Sequence, residues 1–159
     1  MKTLITPLQA LKLAFGADEI LPPETIAEAD IAAAEERWIV PAIGRRLHDK
    51  LLADAYPDLR TDYLAAPVAL YTRALVQPRL NIRTDRSGTV APKSSYAQPA
   101  DDEALRRLRR QLLLQARTLL ARATEYLDAH TAFFPEYEPT ARCSIGGGLI
   151  LTDYGKRTD

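Results

Sequence analysis

Two histidines and one cysteine bound the chemistry this chain can do. A zinc or iron–sulfur site needs several ligands at short recurring spacing, and His48 and His130 stand far apart, outside any HxxxH or HExxH pattern, while Cys143 is alone. We read His48 as a half-exposed helix histidine, His130 as a helix-end histidine near favourable carbonyls, and Cys143 as a small inert thiol. The run Gly146 to Gly148 invites comparison with a phosphate loop. It precedes a strand-like segment rather than a helix, and Gly155-Lys156 is followed by Arg157 where a Walker loop requires Ser or Thr, so a glycine hinge is the better reading. Carboxylates adjoin at Asp18-Glu19, Glu35-Glu36 and Asp101-Asp102-Glu103. Neighbours on a helix point about 100° apart, so adjacency alone makes no acid/base pair, and these read as solvated faces and helix ends. The expectation is a protein that is not an enzyme, with no catalytic residue, no cofactor and no metal site.

Charge is the more informative pattern. Lys and Arg number 21, Asp and Glu 21, which argues against a surface that is one electrostatic footprint for nucleic acid. Along the chain, however, Asp18 to Arg37 holds seven acidic side chains and one basic, whereas Arg73 to Lys93 holds five basic and one acidic. Two readings follow. The two stretches complement each other within one chain, or they meet between subunits, with Glu28, Glu35 and Glu36 of one copy against Arg79, Arg83 and Arg86 of the next. A further cluster, Arg106, Arg107, Arg109 and Arg110, has the charge to contact DNA phosphates; with three carboxylates beside it and little aromatic interleaving, nucleic acid ranks below a structural role. A lone cysteine excludes a disulfide framework within the chain. No uncharged run is long enough to cross a bilayer, and Met-Lys-Thr-Leu-Ile leads into no sustained apolar segment of a secretory signal. These features fit a reducing cell interior and no membrane partner.

The elements that must position these groups are mostly helices, as 25 Ala and 23 Leu suggest. Thr6-Pro7-Leu8-Gln9 is a helix start with capping-box spacing, and Leu8, Leu11 and Phe15 share a face that ends at Gly16. A second start is written at Thr25-Ile26-Ala27-Glu28, with Ile31, Ala34 and Trp38 as its stripe. Pro41 predicts a break at Val40-Pro41, followed by a helix through Leu47 and Leu51. A third amphipathic stretch runs from about Asp58 to Gln77, with Leu64, Val68, Tyr71 and Leu75 on one side and Pro67 as a candidate kink. After Pro78 the period becomes two: Leu80 and Ile82, then a turn at Asp85 to Gly88, then Thr89-Val90, a small β-hairpin followed by an irregular arm to Ala100. A long helix extends from the Asp101 carboxylates to about His130, roughly 30 residues and about 45 Å. Its stripe is Leu105, Leu108, Leu112, Ala116, Leu119, Ala123 and Leu127, with a second apolar set at Leu113, Leu114 and Leu120. Beyond it, Leu149, Ile150 and Leu151 form a strand-like run suited to docking on a sheet edge. The predicted fold is mainly α, a bundle of four to five helices over residues 1–135 with a hairpin and arm at 79–100, and a flexible, extended C-terminal tail over 136–159.

The order Ile26 to Asp30 with Ala34-Glu35, then Ile39-Val40-Pro41-Ala42-Ile43-Gly44 and Leu47 to Leu51, is similar to the amino-terminal half of head-tail connector (head-completion or adaptor) proteins of tailed bacteriophages and their prophage-encoded relatives. The likeness continues through Leu80-Asn81-Ile82, Gly88-Thr89-Val90 and the long helix with Ala116, Ala123 and Tyr126-Leu127, covering roughly residues 25–130. The resemblance implies a structural virion-assembly subunit that forms a homo-oligomeric ring at the capsid portal and joins head to tail. Its implied partners are itself, head to tail, and the phage portal and tail-completion proteins. Its implied place is the bacterial cytoplasm during assembly and then the virion neck. Subunit contacts are expected from Glu28, Glu35, Glu36, Arg79, Arg83 and Arg86, with Leu149 to Leu151 as a docking strand. The alternative is a DNA- or portal-binding assembly adaptor acting through Arg106 to Arg110.

Overall fold

Thr6 opens the first helix, α1 (Pro7–Ala14), by the expected reciprocal cap. Its hydroxyl accepts from the Gln9 amide at 3.3 Å while the Gln9 side chain accepts from the Thr6 amide at 2.8 Å. In the computed structural model, which describes residues 2–16, 21–80, 83–85, 88–90 and 101–138, five helices account for most of the chain. The fold is mainly helical. The face α1 buries is shifted from the expected one: Phe15 is inside and Leu11 packs against the core as expected, but Ala10 and Ala14 join them and Leu8 is 54% exposed.

The second helix, α2, covers residues 28–43. It opens at Glu28, because the Asp30 carboxylate accepts from the Ala27 amide at 2.9 Å, and Thr25 belongs instead to a 3₁₀ turn, Pro23–Thr25. The break expected at Pro41 does not occur. One wide π-helical turn, Glu35–Ile39, comes first, and the Val40 amide donates to the Glu35 carbonyl five residues back. The register has therefore slipped just before the residue that lacks an amide, so the helix passes through Pro41 to Ile43. The chain turns at Gly44 instead, whose φ of 87° favours glycine. The same device recurs in α4 (residues 57–80), where a π turn, Leu59–Leu64, precedes Pro67 and the helix continues to Leu80. Leu80, expected on a strand, ends this helix.

Between them lies α3 (Arg45–Leu52), and α4 is the central element, packed against α1, α2 and α5 (Asp102–Ala129). Its buried residues, among them Ala65, Val68, Ala69, Tyr71, Thr72, Ala74 and Val76, cover more than half of its circumference, and Ala66, Leu70, Arg73 and Gln77 on the remaining face are partly buried. Tyr71 stacks on Trp38 with ring centroids 4.6 Å apart. Ile31, Ile39, Ile43, Leu47, Leu51, Leu64 and Leu127 complete a single cluster. After α4, the backbone of β1 (Arg83–Asp85) pairs antiparallel with β2 (Gly88–Val90), Arg83 opposite Val90. The Asp101 side chain then caps α5 by accepting from the Ala104 amide at 2.7 Å. Residues Phe134 to Glu138 return to the body, where Tyr56 donates to Glu136 at 3.0 Å and Arg46 pairs with Glu138. No described helix is long and apolar enough to cross a membrane. The arm expected at 91–100, most of the expected tail, Arg86, Cys143, the triple glycine and Leu149 to Leu151 lie outside the described residues.

Candidate functional site

The residues chosen for an intersubunit face separate in the structure. Glu28 and Glu36 are exposed, but Glu35 is 1% exposed and faces inward. The π turn brings the Glu35 carboxylate under the amino-terminal segment, where one oxygen accepts from the Leu4 amide at 2.7 Å and the other lies 3.0 Å from His48 Nε2. Glu35 is therefore corrected from a docking residue to an internal tie between α2, α3 and the chain start. His48 is corrected with it: only 4% exposed, it is a core histidine, held by a carboxylate thirteen positions away. Its Nδ1 has no hydrogen-bond partner among the described residues. Above this pair is a cleft of about 400 Å³ with Lys2, Glu36, Arg45 and Asp49 on its walls. The pair fixes an imidazole, and among the described residues that line the cleft there is no Ser, Thr or Cys beside it.

The acidic and basic stretches do meet, within one chain. Arg79 pairs with Asp30 at 2.7 Å and donates to the Thr25 carbonyl at 3.0 Å. Burial alone would raise the Asp30 carboxyl, but the Arg79 and Ala27 hydrogen bonds outweigh it and hold the group below its ordinary range. Arg73 donates to the Ala14 carbonyl and lies over the Phe15 ring. Glu36 is held below its usual range by the Arg45 guanidinium, nine residues on, rather than by a residue of the basic stretch. Arg79 is thus already engaged in its own subunit; of Arg83 only the backbone is described.

Exposed apolar side chains occur on α1, at Leu8 and Leu13, and along and just past α5. Its buried stripe starts only at Leu112, continuing through Ala116, Leu120, Ala123 and Leu127. Residues 102–111, about three turns, contain none that is buried, and Leu105 and Leu108 stay half-exposed although they continue the stripe. Arg106, Arg107, Arg109 and Arg110 are exposed there; Glu103 pairs with Arg107 at 3.1 Å and with Arg110 at 3.3 Å. Leu114 is 66% exposed on the outer side, and Phe133, just past the helix, 72%.

The opposite end of α5 holds what the sequence reading missed. Tyr126 stacks on Tyr63 at 4.3 Å and meets the His130 ring at a tilt, also at 4.3 Å, and Tyr56 meets Phe134 edge-on at 5.0 Å. Tyr56, Tyr63, Tyr126 and Phe134, with Asp58 and Asp62, line a second cleft of about 400 Å³. Scattered over some 80 positions, the rings leave no local signal; only the packing of α4 on α5 gathers them. The model of a family described as "Family of unknown function (DUF6712)" matches residues 39–147. Neither the curated proteins nor the solved structures provided a match.

Proposed function

The chain belongs to the DUF6712 family of unknown function, and we propose that it is a structural assembly subunit, a phage or prophage head-tail connector that oligomerises into a ring at the capsid portal. In this reading the five helices form the body of a bundle, the β1–β2 hairpin and its arm are an appendage, and the glycine-hinged tail docks on a neighbouring copy or portal protein. Its mechanism is binding, without catalysis, in the bacterial cytoplasm and then at the virion neck.

The observation that carries the proposal is the amino-terminal part of α5. Three helical turns extend an apolar stripe past the last point at which the described residues bury it, and a helix apolar beyond its own core is suited to another subunit. Leu114 on α5 and Phe133 just past its end add exposed apolar surface. The likeness of residues 25–130 to connector subunits points the same way. Light scattering over a concentration series, followed by negative-stain microscopy of the largest species, tests it: the expected outcome is a closed oligomer, and a chain that stays monomeric throughout overturns the reading.

A second reading, a DNA- or portal-binding adaptor, draws on the exposure of all four arginines from Arg106 to Arg110. It requires a shift of duplex DNA at low salt that falls steeply as salt rises.

A further inference from the structure

The two ends of α5 carry complementary chemistry. At the amino end, Arg106 and Arg109 are exposed and make no ion pair among the described residues, whereas Arg107 and Arg110 are held by Glu103. At the other end the cleft is walled by Tyr56, Tyr63, Tyr126 and Phe134, with Asp58 and Asp62 exposed on it and likewise without an ion pair among the described residues. Aromatic walls with carboxylates at the rim suit a planar guanidinium, which stacks on a ring face while its N–H groups donate to the carboxylates. Arg122, over the Tyr63 ring at 5.5 Å, already shows that contact within the chain.

We infer that the cleft at Tyr63 and Tyr126 receives Arg106 and Arg109 of a second copy of this chain, so that subunits join head to tail. The inference rests on the assembly reading above and names its contact. Tyr126, on the cleft wall, and both arginines stand on one helix, and from Arg109 to Tyr126 the axial separation is about 25 Å at 1.5 Å per residue, so neither arginine can reach the cleft of its own chain. If either arginine fills the cleft, it must come from another molecule. Two different surfaces on each subunit make the contact heterologous, the geometry that propagates and closes into rings, whereas a two-fold dimer would set like against like.

The test uses two double variants of the full chain, Arg106→Glu/Arg109→Glu and Asp58→Lys/Asp62→Lys, followed by sedimentation velocity at low salt. Each alone confronts like charges and should weaken self-association by about tenfold or more. Mixed in equal amounts, the Glu-bearing helix meets the Lys-bearing cleft and the Arg-bearing helix meets the Asp-bearing cleft, and assembly should return to the wild-type level. Unchanged circular dichroism and melting confirm that each variant folds. Should wild type assemble and both variants assemble equally well, this contact is wrong while the assembly reading stands. A monomeric wild type overturns both. Loss of a duplex-DNA shift in the arginine variant, with wild-type assembly in the aspartate variant, assigns the arginines to nucleic acid and overturns the contact.

Discussion

The corner between α2 and α3 and the two ends of α5 use polar groups in opposite ways. At the corner, Glu35, His48 and the Leu4 amide are enclosed, and the Glu138 backbone lies so close to Gly44 that a Cβ there would collide with its carbonyl. On α5, Arg106 to Arg110 stand in solvent around one short-range pairing centre, Glu103. Enclosed groups lose water on folding, so removing one partner strands the other, whereas an exposed ion pair can be exchanged for hydration at small cost. The corner should therefore set stability, and α5 should set association.

The strongest break of that contrast is Glu35→Ala. It leaves the Leu4 amide and the His48 ring without their acceptor inside the protein, and we expect a loss of about 3 kcal/mol, measured by urea unfolding. A loss under ~1 kcal/mol would place the corner with the exposed pairs instead. Next is Gly44→Ala, for which φ and the Glu138 backbone both oppose a side chain. Here the expected cost is about 2 kcal/mol, a fall in Tm of roughly 6 °C for a chain of this size.

The smallest effect is at the half-exposed pair that lies between these extremes. Arg79→Ala should cost about 0.5–1 kcal/mol at neutral pH. Its pH dependence has a definite sign. The folded state holds the Asp30 carboxyl below its ordinary value of 3.8, so the pair stabilises the protein above that pH, and its contribution disappears as pH falls through the lowered folded value. Urea unfolding of wild type and Arg79→Ala should accordingly converge below pH 3.8. A gap that persists into strong acid would mean that Arg79 acts through packing or the Thr25 carbonyl rather than through charge.

The charge segregation that suggested an interface illustrates where sequence reasoning stops. Acidic and basic stretches were legible, but Asp30 and Arg79 are 49 positions apart, and whether they meet within a chain or between chains depends on how α2 lies on α4. The prolines illustrate the same limit at shorter range. Pro41 and Pro67 announce a backbone defect, yet a π turn placed just upstream absorbs each one, and the turn leaves no residue signature of its own.

What the amino-acid sequence determined by itself is the set of interactions that close within a helical turn or two: the Thr6–Gln9 cap, the Asp101 cap, the length of α5 and the helical class. Their partners lie three or four residues apart, so composition and spacing suffice to specify them. Tertiary structure alone decided that Glu35 and His48 are enclosed, that Gly44 is the corner, that the stripe of α5 begins to be buried only at Leu112, and that four aromatic residues gather beside Asp58 and Asp62. Each of these depends on which surface another element covers, and periodicity marks a face that can be buried without saying what will bury it.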